Sequence, residues 1–354
     1  MTLSRTLLAT ILAAALGGCA LLGAPPERPA DHDAAPAAPT TTTAPAAECH
    51  VIELDALSAE LTDPRERDLD GVRFRYAGSP AVVEALAAAT PAHVFLIAHG
   101  WMNDVQSGRE FTGQLVKGLV ERARRDGVDP ARLGFVAVHW DSKRLVFHES
   151  AVNAEVIGAR RVAPLLARLG ERVPGARVVL VGHSLGGRLV LSSLNAEGPA
   201  TQLRAHAAVL LEAAVDQDAL LPERGGSLIG GFPMAPGRTG LIVNVHSRQD
   251  DVLELAYKNA MRSPALGREG ADRALGGERY ATLRLDGIVD PVRLEGALNE
   301  PQARWPGAPD RHVVNVDATS IVTGHSAIFI EPIFDLVWRA ATRGAGAGGR
   351  GKTD

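Results

Sequence analysis

Apolar positions recur along this chain in two rhythms. Short runs rich in β-branched and aliphatic residues have strand length: Val51–Leu54, Val72–Tyr76, His93–Ala98, Leu133–His139, Arg177–Val181, Ala207–Leu211, Leu241–His246 and Val313–Asp317. Between them lie longer stretches whose apolar residues return every three or four positions. These predict helices near Pro80–Ala89, Ser107–Arg125, Ala151–Arg172, Ser184–Ala196, Asp251–Met261 and Pro332–Thr342. The later strand runs are almost continuously apolar, as expected when helices cover both faces of a parallel sheet. The alternation predicts an α/β fold, a mostly parallel twisted sheet of about eight strands with helices on both faces. Ligands of such sheets sit at the carboxyl ends of the strands, so a reactive residue just after a strand carries more weight than one elsewhere.

The first rhythm to break is at the N-terminus. Arg5 precedes an apolar stretch, Leu7 to Leu16, that has the length of a signal-peptide core and is too short to span a bilayer. Leu16-Gly17-Gly18-Cys19 follows and resembles the bacterial lipobox, in which the cysteine receives lipid. The resemblance implies a signal peptide over 1–18 and a lipid anchor on Cys19, with an ordinary secretory signal as the alternative. It also implies a place in the bacterial cell envelope, facing the periplasm. Ala20 after the cysteine favours the outer membrane, by similarity to enterobacterial sorting. Residues 19–48 are dominated by Ala, Pro and Thr and cannot bury enough surface to fold, so they read as a tether. A folded domain over 49–342 and a Gly-rich tail over 343–354 complete the chain. With Cys19 lipidated, Cys49 is left without a partner and no intrachain disulfide is expected.

Composition narrows the function. Of 354 residues 46% are hydrophobic and the formal net charge is −4, which describes a domain with a large core. No basic stripe with interleaved aromatics appears, so nucleic acid is not an expected partner. Neither metal-ligand spacing nor a phosphate-binding loop is present, and no cofactor or metal is expected.

The tripeptide Gly-His-Ser occurs twice, in Val178–Gly187 and in Ile321–Phe329. In the first, the apolar strand Val178–Val181 leads into Gly182-His183-Ser184-Leu185-Gly186 and then a helix. This is G-x-S-x-G at a strand-to-helix junction. A turn that sharp thrusts the serine Oγ above the sheet, and side chains two residues before or after it would strike helix and strand. The helix start also offers backbone N–H groups to a developing oxyanion.

On these residues the chain resembles an α/β-hydrolase, and His99-Gly100-Trp101 after strand His93–Ala98 reinforces the likeness. The resemblance covers most of residues 90 to 340. It implies that the N–H groups of Trp101 and Leu185 form an oxyanion hole and that nucleophile, acid and histidine follow in that order along the chain. His312 and His325 are the histidines beyond the plausible acids, and His325 follows the last strand at the correct edge. It is the expected general base. Ser326 lacks a glycine two residues on and is expected to be a bystander, as is His183 in the first copy. For the acid, Asp250 matches a Ser-x-x-Asp-x-Val pattern running from Ser247 to Val252. Asp251 is an alternative, as are Asp216 and Asp218 one strand earlier. His139-Trp140-Asp141 ends another strand at this edge, where pocket lining and packing both fit. Leu221–Gly240 and Tyr257–Arg311 are candidate lids or substrate walls.

The expected activity is therefore hydrolysis of an ester, such as a lipid or acyl ester, through Ser184, His325 and Asp250 with an acyl-enzyme intermediate. The alternative is a non-catalytic envelope lipoprotein that uses the same fold to bind lipid or a partner.

Overall fold

In the computed structural model, which describes residues 47–54, 65–197, 205–221, 230–271, 280–285, 296, 298 and 312–343, strands and helices alternate through most of the chain. The order is β1 (Ala47–Leu54), β2 (Arg65–Leu69), β3 (Val72–Tyr76), α1 (Ser79–Ala89), β4 (His93–Ala98), α2 (Val105–Arg125) and β5 (Leu133–Trp140). Then come α3 (Phe147–Ile157), α4 (Ala163–Arg172), β6 (Arg177–His183), α5 (Leu185–Asn195), β7 (Ala207–Leu211) and β8 (Leu241–His246). The last are α6 (Lys258–Met261), α7 (Leu266–Glu269), β9 (Tyr280–Arg284), β10 (His312–Asp317) and α8 (Glu331–Thr342).

The strands form one ten-stranded sheet in the order β2-β3-β1-β5-β4-β6-β7-β8-β10-β9. Every neighbouring pair is parallel except β2 with β3. The sheet thus exceeds the eight strands expected. One addition is the polar edge strand β2, joined to β3 by Asp70-Gly71, both at positive φ (49° and 80°). That conformation suits a tight two-residue hairpin. The other is β9, on the opposite edge, which falls inside the segment 257–311 expected to cover the site.

Side chains along each strand alternate between two cores. Val94, Leu96 and Ala98 of β4 join the core beneath α1, α3, α4 and α5, while Phe95 and Ile97 join the core beneath α2 and α8. Both faces are therefore dry, which explains the unbroken apolar runs. Between α3 and α4 one π-helical turn, Gly158–Val162, interrupts the ladder. A Cβ on Gly158 would collide with the Leu189 carbonyl of α5, so the glycine lets the two helices pack at backbone distance.

The chain leaves β4 toward β5 on one side, and β6 lies on the other side of β4. This reversal opens a crevice at the carboxyl ends of β4 and β6, where open α/β sheets place their ligands. No helix among the described residues is long and apolar enough to cross a membrane. Cys19, residues 1–46 and the tail from 344 lie outside the described residues.

Candidate active site

Ser184 stands between β6 and α5 with φ 54° and ψ −122°, a left-handed conformation that costs a side-chain-bearing residue of order 1–3 kcal/mol. Its surroundings hold it there. The Ser184 N–H donates to Leu211 O, and its carbonyl accepts from Gly187 and Ala214, each at 3.0 Å. A Cβ on Gly182 would lie 2.5 Å from the Gly186 carbonyl oxygen, and one on Gly186 would collide with the Ala98 carbonyl. Both glycines are thus demanded by close backbone approach, on the two sides the sequence implied. Leu185 N–H opens the helix, has no intrahelical acceptor and takes none among the described residues.

Across the crevice, Gly100 abuts the serine so closely that a Cβ there would lie 2.7 Å from Ser184 Cβ. His99 accepts the Trp140 N–H at Nε2 (3.3 Å), which leaves Nδ1–H to donate to Gly100 O (3.0 Å). Asn103 Nδ2 donates to the same carbonyl and to Trp101 O, each at 3.1 Å. With Gly100 O held from two sides, the Trp101 N–H points the opposite way across the trans peptide. It meets no acceptor among the described residues. Trp101 itself is pinned by its indole N–H to Arg144 O (2.7 Å) and by edge contact with Phe147.

His325 follows β10. Its Nδ1–H donates to Asp250 Oδ2 at 2.6 Å, which leaves Nε2 with a free lone pair. Asp250 is fully buried and follows β8; its Oδ1 accepts the Leu253 N–H at 2.8 Å. The residue therefore caps the helical run 251–261, which passes through a π-helical turn at Leu253–Tyr257 into α6, with one oxygen and orients the imidazole with the other. Two loops are stitched together to make this pair. Ser247 Oγ donates to Val322 O (2.6 Å), the Arg248 N–H to Thr319 Oγ1 (3.1 Å), and Gln249 Nε2 to Thr319 O (2.7 Å). Asp251 is exposed at the helix start, and Asp216 accepts a hydrogen bond from Tyr257 OH in a different cluster, so neither serves His325.

His183 lies buried beside the serine and donates Nε2–H to His325 O at 2.7 Å, with the two rings 4.7 Å apart. Burial, and then the neighbouring His325, hold its pKa at about 3, so it stays neutral. Ser184 is 2% exposed, and its Oγ makes no hydrogen bond with another described residue, His325 included. Ser326 is half-buried and takes no part in these contacts.

Glu212, directly after β7, escaped the sequence reading. It is fully buried with φ 46°, and its N–H donates to Val245 O at 3.0 Å. No N–H or O–H among the described residues reaches either carboxyl oxygen; its carboxyl group lies beside that of Asp250 instead. Burial first, and then the Asp250 charge, push its pKa far above the ordinary 4.5. Its position gave a signal, since it ends an apolar strand run at the same sheet edge as the other candidates. Ligand atoms of His183, Glu212 and His325 lie within 4.8 Å of one another, a spacing that an ion could bridge. His183 Nε2, however, is already committed to a carbonyl.

The residues of His139-Trp140-Asp141 and their neighbours make local contacts. His139 and Trp140 are buried, and the Trp140 indole donates to His99 O at 3.0 Å. Lys143 pairs with Asp104 and Arg144 with Asp141. Within the expected cover segments, Phe232 and Ala235 sit in the core, and the Leu266 and Gly267 N–H groups bond Val215 O and Ala213 O. These parts are built into the domain; residues 222–229, 272–279, 286–295 and 299–311 lie outside the described residues. A cavity of about 250 Å³ behind the acid loop, lined by Leu253, Glu254, Lys258 and Arg268 among others, contains none of the site residues.

The chain matches no model of a known protein family, and no curated protein matches it.

Proposed function

We propose that the protein is a serine hydrolase of the α/β-hydrolase type, anchored in the bacterial envelope through lipid on Cys19, that cleaves a carboxylic ester. Ser184 attacks the acyl carbonyl. His325 Nε2 takes its proton and returns it to the leaving alcohol, while Asp250 fixes the tautomer and stabilises the imidazolium. The Trp101 and Leu185 N–H groups receive the developing oxyanion, and water then releases the acid from the acyl-enzyme.

The observation that carries this reading is the buried Asp250–His325 pair at the same strand edge as a serine held in a left-handed turn. Strain of that kind persists where the surrounding structure imposes it, and it clusters at functional sites. Ser184 Oγ and His325 are not hydrogen-bonded to each other, and catalytic hydrogen bonds of this kind tighten in the substrate complex. The sheet order, with the serine at the reversal between β4 and β6, supports the fold assignment.

The test is hydrolysis of an ester series of graded acyl length by the protein lacking residues 1–19. Turnover that falls by about 10⁴-fold in Ser184→Ala supports the reading. Turnover surviving near the wild-type level in that variant contradicts it, and a folded protein that binds esters without cleaving them favours a non-catalytic lipid binder.

A further inference from the structure

We propose that Glu212 is a positioning residue that carries a proton and donates it in a hydrogen bond to Asp250, holding that carboxylate in line with the imidazole of His325. This inference rests on the reading of Asp250 and His325 as the acid–base pair.

The argument is one of donors and acceptors. Two carboxyl groups side by side, both without solvent, cannot both be ionised, so the pair keeps one proton. Asp250 accepts two donors, the Leu253 N–H on Oδ1 and the His325 Nδ1–H on Oδ2. Glu212 accepts none from the described residues. The group with two donors is the better anion, and the group with none keeps the proton. Glu212 then becomes the third donor to Asp250. The groups facing it from packed elements are Asp250 after β8, His183 at the end of β6 and His325 after β10. None of the three is a permanent cation, and His183 stays neutral, so nothing fixed is present to ionise Glu212.

The backbone argues the same way. Glu212 occupies the left-handed region at φ 46°, which disfavours any side-chain-bearing residue, and its N–H is locked onto β8. A buried acid in a strained turn, with no donor of its own, contributes little to the core. Its use lies in its place beside Asp250. As a neutral donor it draws charge from Asp250 and limits how strongly that carboxylate holds the protonated imidazole.

Infrared spectroscopy, proton NMR and pH–rate profiles of the full chain and of Glu212→Gln and Glu212→Leu test this. The wild type should show the C=O stretch of a protonated carboxylic acid near neutral pH, absent from E212Q. The downfield His325 Nδ1–H resonance should persist in E212Q, whose amide can donate to Asp250, and shift in E212L. The acid limb of kcat/KM should stay in place in E212Q. In E212L it should move upward by about half a pH unit or more, with kcat reduced about 10-fold. A wild type without the protonated-carboxyl band overturns the proposal, as does E212Q matching E212L in resonance and profile. If no ester is turned over, the hydrolase reading fails, while the infrared and NMR signals still decide the proton on Glu212.

Discussion

His183 donates its Nε2–H to the main-chain carbonyl of His325 at 2.7 Å, so one Gly-His-Ser segment holds the other in place. The bond ties the turn that presents the serine to the loop that presents the imidazole. Removing it should let the His325 loop drift. His183→Leu should lower kcat about 10-fold with little change in KM, whereas His183→Gln, which keeps a donor near the same point, should stay close to wild type. Steady-state kinetics of the two variants measures this.

The two neighbouring aspartates should separate cleanly. Asp250→Ala removes the partner of His325 Nδ1–H and a helix cap in one step. Activity should fall about 10³-fold or more, and stability by about 1 kcal/mol. Asp251→Ala, at an exposed helix start, should change either by little. Turnover and denaturant unfolding of both variants read the difference.

Backbone strain at Ser184 gives a prediction independent of chemistry. Glycine adopts positive φ without penalty and alanine does not. Ser184→Gly should therefore be more stable than Ser184→Ala by about 1 kcal/mol, although both abolish ester turnover. Calorimetry of the two variants side by side checks it.

Histidines withdrawn from solvent, with His93, His99 and His183 buried and His206 partly so, should weaken the fold in acid. Burial lowers the pKa values of His93, His99 and His206 to about 4, and that of His183 to about 3, from an ordinary 6.5. The unfolded chain binds these protons first. Their contribution is thus full above pH 6.5 and is lost as pH falls toward the folded values. Tm should drop steeply across that window. Glu212 has the opposite sign: its raised pKa means that stability present below 4.5 is lost as pH rises toward the folded value. Glu212→Gln should accordingly raise Tm near pH 8 and leave it unchanged near pH 4.

Much of this architecture was legible in the chain. The apolar runs from His93 onward marked β4, β5, β6, β7, β8 and β10, because both faces of those strands are dry. The elbow glycines followed from motif spacing, while Asp250, which a resemblance favoured, stood beside Asp251, Asp216 and Asp218 until the structure set it against His325. The edges were less readable. Arg65–Leu69 carries no apolar pattern because an edge strand faces water, although Asp70-Gly71 was a hairpin signal in plain view. β9 falls inside the long segment 257–311, which read as a cover for the site and not as part of the sheet. Glu212 was missed because its neighbours decide its role: a lone glutamate after a strand reads as a surface residue until Asp250, 38 positions later, is seen beside it. The bond between His183 and the carbonyl of His325 was equally invisible, since a backbone oxygen leaves no mark in sequence.

The central claim is that Ser184 is a nucleophile activated by His325. Treatment of the folded protein with a fluorophosphonate, followed by peptide mapping in the mass spectrometer, tests it most directly. The account predicts one adduct, on Ser184, at a rate reduced strongly in His325→Ala and lost in Ser184→Ala. An unlabelled wild type, or an adduct on Ser326 instead, would contradict it.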